Sequence, residues 1–196
     1  ILVIACSDSR SDPALLTEAQ PGDLFVIRNV AALVPAYERP TGVPKGTSAA
    51  IELGTRALEV DHIIVLGHSH CGGIRFLAER RARKDGFEFL PDWVAVAGDL
   101  VDTMENLASE ADEAERLRWL EKSAVGLSVR NLQSFPWIAD RIRAGRLALH
   151  GWHFDLQHGQ LQAMDGTSGR FSAVPAGELP APACGCCEGL MELVAQ

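Results

Sequence analysis

Two short runs, "ILVIA" at 1–5 and the "IIVLG" within "DHIIVLGH" (61–68), are continuously apolar rather than apolar at alternate positions. A strand wet on one side alternates. A continuous apolar strand needs cover on both faces, which a parallel sheet with helices packed against it provides. "PGDLFVIRN" (21–29) opens on a Pro-Gly turn and supplies a further strand at 24–27. "TSAAIELGTRALEV" (47–60) has helical spacing, with Ala50, Leu53, Ala57 and Leu58 along one face. The order strand, strand, helix, strand, helix predicts an α/β fold.

"CGGIRFLAERRAR" begins the helix after the strand at 61–68, and several helical segments follow between 92 and 145. The most regular, "DEAERLRWLEKSAVGLSVRNLQS", is expected to end at "FPW". "RLALHGWHFDLQHGQLQAMDG" then switches to strand periodicity around the His-Gly pair at 158–159, which predicts a hairpin. The expected architecture is a mostly parallel central sheet with flanking helices and a C-terminal hairpin. Residues 1–171 are expected to form one domain, with a Pro-, Gly- and Cys-containing tail over 172–196.

Composition narrows the function classes. A net charge of −8 argues against a nucleic-acid partner, because phosphate neutralisation needs clustered Lys and Arg. The one basic run, "ERRARK" at 79–84, is expected to be a solvated helix face. No apolar run approaches the ~18 residues that span a bilayer, so no membrane partner is expected. No leader is read at the N-terminus. The chain opens inside a strand without an initiator Met, so a segment is expected ahead of Ile1.

Of five cysteines, Cys6 and Cys71 lie far apart, while Cys184, Cys186 and Cys187 cluster near the end. A chain of this size does not need a disulfide framework, so metal or catalytic use is the better expectation. Cys6 closes the first strand, followed at alternate positions by Asp8 and Arg10. His68 and Cys71 stand two residues apart where strand gives way to helix, a metal-ligand spacing. In an open parallel sheet, sites form at the carboxyl ends of strands where the connectivity reverses. Cys6, His68 and Cys71 are therefore expected to meet around one ion.

Two thiolates and an imidazole select zinc, and three protein ligands leave the fourth position open, as in catalytic sites. Cys71 at a helix N-terminus has its thiolate favoured by the backbone dipole. Asp8 either closes the site as a fourth ligand or accepts a hydrogen bond from a coordinated water. Arg10 can hold it by a bidentate pair, keeping it ionised and turned from the metal. Gly72 and Gly73 let the backbone pass close by.

Each element alone has a plainer explanation. Cys6 by itself is a small buried hydrophobe, Asp8 and Arg10 a cap and a surface pair, and an H-x-x-C recurs by chance. The combination of C-x-D-x-R after one strand with H-x-x-C after another carries the inference. His70 is expected to be exposed or supporting rather than a ligand, and His150 and His153 to be satisfied structural histidines. The tail's "CGCC" lacks a spaced partner set, so its thiols are expected to be adventitious or redox-labile.

These segments resemble the β-class carbonic anhydrases. "ACSDSR", "PGDLFVIRN", "AAIEL", "HIIVLGHSHCGG" and "LHGWHFDLQHGQL" are similar to that family, in its order, over residues 1–165. The resemblance implies an enzyme interconverting CO2 and bicarbonate, with one Zn2+ per chain on Cys6, His68 and Cys71, and Asp8–Arg10 as a catalytic dyad. It implies zinc-hydroxide attack on CO2, with Gly72 as a residue on the substrate side. It also implies a homodimer or homotetramer, with apolar parts of the CO2 pocket drawn from the partner.

The family's N-terminal helices, and a glutamine several residues before the first cysteine, do not fall within this chain. Ala32 stands where the family commonly has Asn. Val3 stands where the bicarbonate-inhibited subset has Trp, so no such allosteric site is expected. Rival functions are hydrolysis of carbonyl sulfide or carbon disulfide on the same scaffold, and a non-catalytic zinc module with Asp8 as permanent ligand. A cysteine phosphatase is disfavoured because C-x3-R is too short for a phosphate loop. A nucleotide site is disfavoured because no glycine fingerprint follows the first strand. Free thiolate ligands suit a reducing compartment, the cytoplasm by default.

Overall fold

A computed structural model describes residues 1–79, 86–107 and 111–175. Among these, β1 (Leu2–Cys6), β2 (Phe25–Asn29), β3 (His62–His68), β4 (Ala148–Asp155), β5 (Gln160–Met164) and β6 (Phe171–Ala173) form one sheet. The strand order is β2-β1-β3-β4-β5-β6. The first four run parallel, and β5 and β6 add antiparallel at the edge.

β1 and β3 are buried at every position, as the continuous apolar runs at 2–5 and 63–67 require, and the burial extends to His62 and His68 at the ends of β3. On one face Leu2, Ile4, Ile63, Val65 and Leu149 pack against Val125, Val129 and Leu132 of α6 (Glu113–Gln133) and Ile138 of α7 (Pro136–Arg143). On the other, Val3, Ala5, Ile64, Leu66 and Trp152 meet Leu16 of α1 (Pro13–Thr17). A third cluster sits by the strand ends. It joins Cys6 and Cys71 to Ile74 of α3 (Gly72–Ala78), Val101 of α5 (Asp99–Leu107) and Leu120 of α6. α6 starts on a reciprocal cap between Asp112 and Glu115, which settles its first free N–H groups.

Several local expectations are corrected. α1 is an element the periodicity passes over. Its five residues are too few for an amphipathic pattern, but Pro13 at the first turn and the Asp12 carboxylate, accepting from Ala14 and Leu15 N–H, are start signals. The helix expected over 47–60 is α2 (Gly46–Glu52) followed by a π-type turn, Leu53–Ala57. Its buried face is Ile51, Gly54 and Thr55; Leu53, Ala57 and Leu58 are exposed. Gly54 decides this, because a Cβ there would lie 2.4 Å from Leu2 Cδ1, so the helix meets β1 through its glycine.

"FPW" does more than end α6, since Phe135 caps α7 and Pro136 opens it. α4 (Leu90–Val94), continued by a 3-10 turn over Ala95–Ala97, is also part of the helical stretch from 92 to 145. The sheet also runs past residue 171, because β6 pairs Ala173 with Gln162. The 80–84 part of the basic run, and Cys184, Cys186 and Cys187, lie outside the described residues. No helix among the described residues is long and apolar enough to cross a membrane.

His150 and His153 are buried, but they are not satisfied. His150 Nε2 meets His62 Nδ1 at 3.2 Å while its own Nδ1 has no partner, and neither nitrogen of His153 has one. Burial, then the neighbouring His62, hold the His150 imidazole down to about 4; burial also lowers His62, against a weaker opposing pull from Asp61. Both are neutral in the fold and take up protons on unfolding. Their contribution is therefore intact above pH ~6.5 and declines as pH falls toward 4, by about 1.4 kcal/mol per unit for one such group. The thermal midpoint should drop between pH 7 and 5, and His150→Leu should flatten that slope. A midpoint level across the interval in the unsubstituted protein would contradict a neutral buried pair.

Candidate metal centre

The chain leaves β1 to build β2 on one side and later returns to build β3 on the other, so the sheet's connectivity reverses at β1. The carboxyl ends of β1 and β3 flank the crevice that such a reversal leaves. Cys6 is the last residue of β1, His68 the last of β3, and Cys71 the residue on which α3 begins. One ligand atom from each lies within 4.8 Å of the others, and all three side chains are buried.

Backbone geometry aims them together. His70 has a left-handed φ of 56°, which turns the chain sharply between His68 and Cys71. Ser69 N–H donates to Phe154 O, and Ser69 Oγ accepts from Leu156 N–H, tying the turn to the end of β4 and the hairpin. Gly73 is obligatory: a Cβ there would sit 2.5 Å from Val30 Cγ1. Gly72 is different, because a Cβ there would meet nothing within 4 Å. Behind Cys6, Ala31 and Ala32 adopt consecutive left-handed conformations, φ 64° and 53°, strained for alanine. Asn tolerates that conformation better, which gives the family's usual residue at position 32 a physical reason.

The donor set fits a metal ion. His68 Nδ1–H donates to Ser69 O at 2.9 Å, leaving Nε2 buried with no other hydrogen-bond partner and its lone pair free. Cys6 Sγ and Cys71 Sγ are 3.9 Å apart. Two sulfurs bound tetrahedrally at ~2.3 Å from one ion stand about 3.8 Å apart. The contact with Cys71 chiefly lowers the Cys6 thiol to about 4, against burial and with help from His68 and the Asp8 and Ala31 amides. The same contact, with burial, pushes Cys71 up. The Ile74 and Gly73 amides at the start of α3 oppose that rise but are outweighed.

Asp8 stands outside the ligand cluster. Arg10 Nε donates to Oδ1 at 3.0 Å and Nη2 to Oδ2 at 2.7 Å, with Arg10 N–H also on Oδ1. This fork holds the Asp8 carboxyl well below the usual carboxylate range, so it stays ionised at any assay pH. Arg10 Nη2 also reaches His70 O at 3.4 Å. His70 is exposed and lies outside the cluster.

Two further residues contact the cluster without belonging to either motif. Arg28 Nε donates to Cys6 O at 2.6 Å, Nη2 to Asp8 O at 2.7 Å and Nη1 to the Asp12 carboxylate at 2.8 Å, so one guanidinium clamps the backbone on both sides of Ser7. Glu121 of α6 is buried, and its Oε1 accepts from Cys71 N–H at 3.0 Å. An acid among Leu117, Leu120, Ala124 and Val125, on the apolar face of a helix, was the available signal.

A buried two-thiol, one-imidazole cluster that could hold a metal ion thus stands at the switch point of the parallel sheet of an α/β protein. The carbonic anhydrase family profile matches residues 1–161, and the chain belongs to the β-carbonic anhydrase family. It is 41% identical over 170 residues to a carbonic anhydrase of Pseudomonas aeruginosa, covering 87% of this chain and 75% of that protein. It is 38% identical over 154 residues to the chloroplastic beta carbonic anhydrase 5 of Arabidopsis thaliana, covering 79% of this chain but half of that protein's length. The solved structure of the beta-carbonic anhydrase CcaA superposes with a TM-score of 0.84 at 33% identity, over 94% of this chain and 80% of that one. One of two tetrameric beta-carbonic anhydrases from Sordaria macrospora gives a TM-score of 0.72 at 30% identity, over 88% and 81%.

The centre should bind one equivalent of Zn2+ or Co2+ per chain, with thiolate-to-cobalt charge-transfer bands in the cobalt form. Cys71→Ser should abolish those bands, and Asp8→Asn should leave them in place. Equal metal retention in Cys71→Ser would place the ion elsewhere.

Proposed function

We propose that this chain catalyses the reversible hydration of CO2 to bicarbonate and a proton, with one Zn2+ held by Cys6, His68 and Cys71. One observation carries it: the orphaned His68 Nε2 and the two sulfurs converge at metal-binding distance, while Arg10 keeps Asp8 out of the ligand set. Bound zinc would supply a Lewis acid that makes a coordinated water acidic. That water would titrate above the ~7 of a three-imidazole site, because two thiolates offset the ion's charge.

Asp8, held ionised by the Arg10 fork, is the acceptor that orients the reacting water and takes its hydrogen bond. Arg10 fixes Asp8 through two bonds rather than one, so a lysine would not replace it. Gly72, with open space where a side chain would project, leaves room for substrate beside Cys71. CO2 is apolar, and its pocket needs apolar walls; a homodimer or homotetramer would complete them. Leu15, Val26, Leu53 and Leu58 are apolar side chains exposed on the single chain, which supports association. Free thiol ligands suit a reducing compartment such as the cytoplasm.

A permanently closed, non-catalytic zinc module would need Asp8 to leave its fork with Arg10. Hydrolysis of carbonyl sulfide or carbon disulfide finds no support in the relatives, whose names are those of carbonic anhydrases.

Stopped-flow CO2 hydration by the zinc-loaded protein at about pH 8.5, against Cys71→Ser, tests the proposal. Hydration should be fast, lost in Cys71→Ser, and rise between about pH 7 and 9. Asp8→Asn should lose most of the rate with zinc still bound. Tight zinc with no hydration at any pH would overturn the proposal in favour of the closed module. Faster turnover of carbonyl sulfide or carbon disulfide than of CO2 would replace the substrate.

A further inference from the structure

Glu121 has no role in the proposed reaction, yet its carboxylate is held in a place where water cannot solvate it. Its side chain is 1% exposed, beside the 2%-exposed His153 of β4. Removing a carboxylate from water costs several kcal/mol unless fixed partners replace the hydration. A position that only filled space between Leu120 and Ala124 would carry an apolar residue.

Its partners show what it holds. Oε1 accepts from Cys71 N–H at 3.0 Å, fifty positions away in sequence, and Oε2 lies 3.6 Å from His153 Nε2. Cys71 starts α3, where an N–H has no partner within the helix, and its own side chain makes no cap bond. Without Glu121 that amide would be buried and unsatisfied. α6 can reach it because it lies directly over β3: a Cβ on Gly67 would sit 2.5 Å from Val125 Cγ2. The rotation of the Cys71 backbone, and with it the direction of Sγ, is thus set by a side chain of α6.

We propose that Glu121 is a positioning residue for the metal centre, orienting Cys71 from outside the ligand set so that the third ligand is in place before the ion arrives. This rests on the metal centre proposed above. The property required is an acceptor oxygen at the reach of a glutamate. Gln meets it, with its amide N–H2 turned to His153 Nε2. Asp keeps the carboxyl group but falls short by one methylene. Leu supplies no acceptor and leaves the Cys71 amide unpaired.

The test compares the full chain with Glu121→Gln, Glu121→Asp and Glu121→Leu. Metal affinity is read by chelator competition and site geometry from the cobalt absorption bands, with circular dichroism reporting the fold. Expected for Gln are unchanged cobalt bands and an affinity within about threefold of the parent. For Leu, a loss of about 10- to 100-fold and shifted bands are expected, as for other residues that orient ligands. Asp should bind metal more weakly than Gln, an ordering that decides the matter even if Leu does not fold. Asp binding as well as or better than Gln would overturn the proposal, as would Leu matching the parent in affinity and spectrum. Absence of thiolate bands from the parent itself would remove the metal centre, and this role with it. Unchanged bands in all variants would remove this role alone.

Discussion

The centre depends on the parallel pairing of β1 with β3. Their register, Ala5 opposite Leu66, brings the carboxyl ends of two strands together that are sixty residues apart in the chain. The turn at 68–71 supplies an imidazole and one thiol locally, and only the strand pairing brings the second thiol, Cys6, to them. The pairing is stable because the middles of both strands are apolar and covered on both faces, so a slip in register would break one packed interface or the other. The chemistry is therefore placed by hydrophobic burial that has nothing to do with metal.

What burial brings near, backbone strain and polar clamps then aim. Left-handed residues at Ala31, Ala32 and His70 concentrate around the ligands, and each costs roughly 1–2 kcal/mol that the surrounding packing has to offset. Ser7 N–H donates to Asn29 O just after Cys6, His68 is fixed by Ser69 O, and Arg28 grips the carbonyls of Cys6 and Asp8. These contacts leave one histidine nitrogen and two sulfurs as the groups without a settled partner set. A site held so firmly pays little to reorganise when an ion enters.

The two carboxylates around the centre sit in opposite environments. Asp8 is near the surface, forked by Arg10 and turned from the sulfurs, with solvent within reach. Glu121 is sealed inside between α6, the Cys71 amide and His153. Exposure leaves the first able to meet a diffusing reactant, whereas burial confines the second to holding structure.

The sequence by itself determined the fold class, and it marked out the proposed ligand triad and the proposed Asp8–Arg10 dyad, because these follow from local signals. Continuous apolar runs specify buried parallel strands, and C-x-D-x-R and H-x-x-C specify what their ends carry. Short or phase-shifted pieces were less legible. α1 is too brief for periodicity, and a glycine contact with Leu2 set which face of α2 turned inward, leaving Leu53 and Leu58 exposed. The tertiary structure alone decided that Glu121 and Arg28 contact the backbone of the cluster, and that His150 and His153 are buried without full partners. Their roles depend on contacts between residues far apart in sequence. A carboxylate on an apolar helix face has no meaning until the amide it satisfies has been folded against it.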